Sequence, residues 1–389
     1  MFDFLKNKKI LFSALVVYFA ATGITYFLFS KTPLAQKISS PVGTPTVDNE
    51  GNLVFDESLP KTEPCPISGQ KYSKQQRDWW ETHRPLGVMI ENHQNARPQS
   101  GLNAADTVYE VVAEGGITRF LAIYYCSAPV QIGPVRSART YFLDYISEYG
   151  DSPLYAHVGG ANTPGPADAL SQINKYGWGS YNDLNQFSIG FPTFWRDYNR
   201  LGHTTATEHT MYSTTDKLWK FAEEERGLGP RSEDQTPWDE GFSQYSFKDK
   251  ESKGSVQTVH IEHWSSYGDY FIDWVYDPAT NSYNRKNGGK AHMDRNTNKQ
   301  INTKNVVVIF TRESSANDGY ENNVHLLYKT VGEGDAKVFI DGEEIDATWS
   351  KDSREGKTIL KDSNGEEIEF NRGKIWFHIV PLDGVASVK

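Results

Sequence analysis

Cysteine is scarce in this chain: Cys65 and Cys126 are the two present in 389 residues. Two thiols cannot complete a structural zinc site by themselves, and no CxxC pair occurs. Positive charge is in deficit, with 40 Lys and Arg against 50 Asp and Glu and a formal net charge of −10. Nucleic-acid binding, which needs a basic surface, is not expected. HExxH, a GxSxG elbow, a P-loop and a dinucleotide fingerprint are all missing, as is any repeat of fixed period. These absences name no cofactor and no metal. They leave function to be sought in clusters of polar residues.

What is present begins with an uncharged run, Ile10 to Phe29. At ~1.5 Å of rise per residue it would span ~30 Å, close to the hydrocarbon thickness of a bilayer. The expectation is a single transmembrane helix. Lys6, Lys8 and Lys9 precede the run and only Lys31 follows closely, so the positive-inside rule puts the N-terminus in the cytoplasm and the rest outside. The end of the run, Tyr26 to Phe29, is bulky where a signal peptidase wants small residues, which favours an uncleaved anchor. No cysteine stands near it to carry a lipid. Outside the cytoplasm thiols tend to oxidise, so a Cys65–Cys126 disulfide is expected, with two separate thiols as the alternative.

The remainder divides by composition. Residues 1–31 are the stub and anchor, and 32–80 read as a Pro/Ser/Thr/Gly-rich tether, ending in a short helix capped by Ser73. Residues 81–230 alternate strands (86–91, 107–113, 119–125, 154–158) with helices (137–149, 166–176). This predicts a layered α/β domain with a hairpin at Gly115-Gly116. Residues 231–255 read as a linker or long loop. From 256 to 389 nearly every segment reads as a strand, so the expectation is a mostly antiparallel β domain. The aromatic share of 13% suits packed β-structure.

Four segments of the first domain gather polar residues where strands end: Glu91 to Arg97, Glu110 to Arg119, Gly133 to Arg139, and His157 to Gly160. Arg136, Ser137 and Arg139 fall at the start of the expected helix, where backbone N–H groups and two guanidinium groups would favour an anion. Internal pairing with Glu110, Glu114 or Asp144 is the competing reading. Arg119 or His157 is expected at the rim of the same concavity. Glu91 and His93, two apart, would share a strand face. With His157 they are candidate acid–base groups or ligands, although a histidine merely satisfied at a strand end explains each as well. Glu91, Glu114 and His157 are the catalytic candidates. Arg119, Arg136, Ser137, Arg139, His93 and His157 are the ligand-binding candidates. His209 and His292 read as turn and surface residues.

The segments RPLGVMIENHQNARPQSGL (84–102), ADTVYEVVAEGGITRFLAIY (105–124), IGPVRSARTYFLDY (132–145) and YAHVGGA (155–161) resemble the YerB-like family. NVVVIF (305–310), the stretch from Asp341 to Trp349 and GKIWFHIVP (373–381) are similar to that family's C-terminal part. The family comprises bacterial envelope proteins of unknown function, often lipoproteins. The resemblance implies an α/β layered fold and an extracytoplasmic place, and it carries no catalytic residues over. The functional expectation is an envelope protein binding an anionic ligand or partner. The alternative is a hydrolase or transferase on an anionic cell-envelope polymer, and whether the chain is an enzyme stays open.

Overall fold

The computed structural model describes residues 45–47, 53–250, 252–256 and 258–389. Its centre is one mixed sheet of ten strands. In chain order these are β1 (Leu86–Glu91), β2 (Thr107–Glu114), β3 (Ile117–Tyr124), β4 (Leu154–His157), β5 (Asp183–Asn185), β6 (Asn305–Thr311), β7 (Gly332–Ile340), β8 (Glu343–Lys351), β9 (Ile359–Asp362) and β10 (Ile375–Pro381). Their spatial order is β9-β8-β7-β6-β10-β2-β3-β1-β4-β5.

This order corrects the expected fold. Instead of an α/β domain followed by a separate β domain, strands from both halves share one sheet. The seam is β10 against β2, parallel, with Ile375 opposite Thr107 and Ile379 opposite Val111. The physical reason lies in the strands themselves. Both are buried along almost their whole length, and a strand apolar on both faces announces burial without naming its neighbour. The expected transmembrane helix has no counterpart among the described residues. No helix among the described residues is long and apolar enough to cross a membrane, and Ile10 to Phe29 lies outside them.

Two layers cover the sheet. On one face lie α2 (Thr140–Ile146) and α3 (Ala169–Lys175), which bury Tyr141, Phe142, Tyr145 and Ile173 against Met89, Val111, Leu121 and Phe377. On the other lies a six-stranded antiparallel sheet. It packs Ile261, Ile272, Trp274 and Tyr283 against Val88, Val108, Phe120 and Trp376. The helix α4 (Thr215–Arg226), capped by Thr214, adds Leu218 and Trp219 to that core. At ~25 cal/mol per Å² of buried apolar surface, these two cores supply most of the favourable energy of folding.

Residues 61–80, which composition assigned to the tether, are built into the fold. Lys61–Pro64 pairs with Lys71–Ser73, and α1 (Lys74–Trp80) follows with Ser73 and Gln76 forming a capping box. Cys65 and Cys126 are joined in a buried disulfide, with Cα atoms 5.9 Å apart. The turn between β2 and β3 uses Gly115 and Gly116, at φ of +54° and +73°, as a tight two-residue hairpin requires.

A second feature binds the two halves. Glu110 on β2 is fully buried and takes both carboxylate oxygens to Arg285 Nη2 at 2.7 and 2.8 Å. Arg285 belongs to the six-stranded sheet, in Ser282–Asn287. Trp376 Nε1 and Thr118 Oγ1 also donate to Glu110, at 3.0 and 2.8 Å. The rings of Phe120, Trp274 and Trp376 surround the guanidinium at 5.1–5.6 Å.

Candidate functional site

The polar cluster gathers at one end of β1, and the extended segment 132–138 is what assembles it. Glu91 N donates to Pro134 O at 3.0 Å and Arg136 N to Met89 O at 2.9 Å, so the segment runs antiparallel to the end of β1. Val158 N donates to Arg136 O, and Ala138 N to Gly159 O, which ties the same segment to the loop after β4. Val135 N donates to Met211 O, and that bond brings in Thr207–His209 from far along the chain.

This geometry corrects the expected helix. It begins at Thr140, not Ser137, and Arg139 is its N-cap. Arg136 and Ser137 lie on extended backbone, so Arg136 and Arg139 do not share a helix face. Hydrogen bonding to β1 and to the loop after β4 holds that backbone extended, against the local helical pattern.

The arginines divide by role. Arg139 Nη2 and Arg119 Nη2 reach the two oxygens of Glu114 at 2.6 and 3.0 Å. Arg119 Nη1 also donates to Ser137 O at 2.9 Å. Burial works to raise the Glu114 carboxyl, but Arg119, Arg139 and Arg136 outweigh it and hold it down at about 2. Burial and the nearby Arg139 bring Arg119 down to about 10. Both groups stay charged at neutral pH. For Arg119 and Arg139 the internal-pairing reading therefore holds.

Arg136 differs. Its Nε meets Glu91 Oε1 at 3.3 Å, and its two Nη groups have no hydrogen-bond partner among the described residues. Glu91 spends its other oxygen on His209 Nδ1 at 2.8 Å. Three guanidinium groups (119, 136, 139) thus share two carboxylates (91, 114) in these ion pairs, and Glu208 adds a third carboxylate to the lining of the cavity beside them.

Arg136 stands between two hollows. One is a cavity of about 200 Å³ lined by Glu91, His93, Glu114, Arg119, Glu208 and His209. The other is a cleft of about 630 Å³ whose lining mixes polar residues (Ser137, Asn162, Arg196) with apolar ones (Val158, Leu170, Phe187, Met211). Arg136 and Glu208 line both. Phe187 at the cleft is 74% exposed.

His157 is corrected. It is fully buried, with Nε2 on Asp183 Oδ1 at 2.5 Å and Nδ1 on Gly159 O at 2.7 Å, so neither nitrogen is left for a ligand. Its neighbours Val158, Gly159 and Gly160 line the cleft in its place. Glu91 and His93 do not share a strand face, because β1 ends at Glu91 and His93 caps the turn Gln94–Ala96. They meet instead through His209, to which Glu91 hydrogen-bonds and on which His93 stacks.

Reading His209 and His292 as surface residues is also corrected. Both are buried, His209 against Glu91 and His292 Nε2 on Gln99 Oε1 at 2.6 Å. Glu208, His209, Arg196 and Phe187 were not singled out by sequence pattern as site residues. The one local sign of them is the density of polar residues from 203 to 210. Among the described residues, the group with metal-ligand spacing is Cys65, Asp106 and Cys126, and its two sulfurs are spent on the disulfide.

Fold and cluster together define a three-layer mixed-sheet protein in which two sequence halves build one sheet, with a polar hollow of about 200 Å³ at the end of β1. Residues 68–229 match the family described as "Protein of unknown function (DUF3048) N-terminal domain", and residues 259–377 match its C-terminal domain. The chain belongs to this family, the YerB-like proteins. It is 28% identical over 327 residues to "Putative lipoprotein YerB" of Bacillus subtilis (strain 168), covering 83% of this chain and 88% of the relative. The crystal structure of the YerB protein from Bacillus subtilis superposes with a TM-score of 0.67 at 26% identity. That match covers 84% of this chain and all of the other.

Proposed function

We propose that this is an extracytoplasmic cell-envelope protein that binds an anionic ligand in the cleft beside Arg136. Two things support the place: a relative that bears the name of a lipoprotein, and a disulfide of the kind that persists in oxidising compartments. The observation that carries the binding reading is the division among the arginines. Arg119 and Arg139 are consumed by Glu114, whereas Arg136 keeps a free donor fork on a cleft of ligand size. The apolar residues in the lining of that cleft suit a ligand whose anionic head carries a hydrocarbon or ring portion.

Titration calorimetry with dimethyl phosphate, run on the wild type and on Arg136→Gln, tests this. The variant should lose binding yet stay folded, because the Arg136 side chain is only partly buried and Glu91 keeps its hydrogen bond to His209. Arg119→Gln should instead destabilise the protein, because it removes a buried partner of Glu114. Unchanged binding by Arg136→Gln refutes the reading.

A further inference from the structure

The smaller cavity behind Arg136 holds two imidazoles whose hydrogen bonds fix complementary tautomers. A carboxylate can only accept, so the contact with Glu91 Oε2 puts a His209 proton on Nδ1, and in the neutral ring Nε2 then carries the lone pair. His93 Nδ1 accepts from the Asn95 backbone N–H at 3.2 Å, so the proton of its neutral ring sits on Nε2. Burial and the adjacent His209 hold His93 below its ordinary range, which keeps it neutral. The two rings stack with centroids 4.9 Å apart and planes 15° from parallel. His209 Nε2 has no hydrogen-bond partner among the described residues. One stacked ring therefore presents a bare base and the other a donor, beside the free fork of Arg136.

We infer that His209, held by Glu91, is the general base of a hydrolytic site that cleaves a phosphodiester bound at Arg136. The inference rests on the anion-binding reading above. Thr118 is the one hydroxyl side chain lining the cavity among the described residues. It is committed, donating to Glu110 at 2.8 Å and accepting from Asn92 at 2.7 Å. The nucleophile is then water. His209 Nε2 takes a proton from that water, and the water oxygen bonds to phosphorus. The bond from phosphorus to the leaving alcohol oxygen breaks, and that oxygen takes the proton back from His209. Diester and water become monoester and alcohol, and the imidazole returns to its starting state. Glu91 is a positioning residue that fixes the tautomer and stabilises the transient imidazolium. Arg136 and His93 Nε2–H stabilise charge on the non-bridging oxygens.

The test uses the full chain with bis(p-nitrophenyl) phosphate for turnover and dimethyl phosphate for binding, in the presence of a chelator. The wild type should release nitrophenolate. His209→Gln should lower kcat by at least about 100-fold while dimethyl phosphate still binds. Glu91→Gln should cut kcat and leave KM within about twofold, a split that loss of fold would not give. Both side chains are buried, so each variant is melted alongside. If His209→Gln does not fold, His93→Phe carries the test, because it keeps the stacked ring on a half-buried residue and removes the donor. Unchanged kcat in that variant overturns the assignment. A wild type that binds dimethyl phosphate without turnover overturns the hydrolytic inference and leaves the binding reading standing. Absence of both binding and turnover overturns both.

Discussion

Glu110→Gln isolates the interaction that joins the two halves of the chain. Glu110 and Arg285 are both fully buried, and the carboxylate takes bonds from Arg285, Trp376 and Thr118. Burial alone would raise the Glu110 carboxyl, but Arg285, His378 and His263 outweigh it and hold it well below the carboxylate range. Burial also works against the Arg285 charge, yet a guanidinium that ordinarily titrates above ~12 stays protonated. Replacing the carboxylate by an amide strands that cation among three aromatic rings. Breaking one side of a buried pair typically costs ~3–5 kcal/mol. At ~2 °C per kcal/mol for a unit of this size, the melting temperature should fall by about 6–10 °C. The double variant Glu110→Gln with Arg285→Met removes both charges and should recover more than half of that loss. The acid slope supplies an independent check. A depressed folded-state carboxyl contributes stability that is present above the unfolded pKa of ~4.3 and is lost as pH falls through the folded value. Glu110→Gln should therefore flatten the fall in stability below about pH 4.3. Thermal melts across pH measure all three effects. A single variant melting within about 2 °C of the wild type, or a double variant no better than the single, would refute the reasoning.

Two further outcomes follow from the region around the disulfide. The Cys65–Cys126 bridge spans a sequence separation of 61, so replacing both cysteines by serine should cost on the order of 4 kcal/mol by the chain-entropy model, read by urea denaturation. A loss under about 1 kcal/mol would count against that account. Asp106 beside the bridge accepts from the Tyr125 and Cys126 N–H groups at 2.8 and 2.9 Å, yet burial pushes its carboxyl up to about 6. The sign is opposite to that of Glu110. Between the unfolded value of ~3.9 and the folded value the native state binds the extra proton, so this group makes stability decline as pH rises across that window. Asp106→Asn, which can still accept both N–H bonds, should remove that decline. A denaturation series from pH 4 to pH 6.5 that is identical in the two proteins would contradict the assignment.

Local signals were legible wherever the chain answers only to itself. Ser73 followed by Gln76 announces a capped helix, and the structure has one at Lys74–Trp80. Gly115-Gly116 between two apolar runs announces a tight hairpin, and β2 and β3 form it. The polar cluster was half legible. Glu91, Glu114, Arg119, Arg136 and Arg139 stand out as charged residues at strand ends, and the fold brings them together. The sequence could not say which arginine remains free, because that depends on Glu114 lying within reach of Arg119 and Arg139 at once.

By itself, then, the sequence determined the kinds of elements, the acidic balance that argues against nucleic acid, the scarcity of thiols and the membership of a family. Each follows from composition or from patterns a few residues long. Tertiary structure alone decided that β10 pairs with β2, so that both halves build one sheet. It decided that 132–138 stays extended instead of starting a helix, because β1 and the loop after β4 satisfy its backbone. It also brought His209 across 118 positions to Glu91. A strand apolar on both faces can pair with any like strand, and a lone histidine in a polar loop carries no mark of its partner. Those choices are made by long-range packing, which sequence periodicity does not encode.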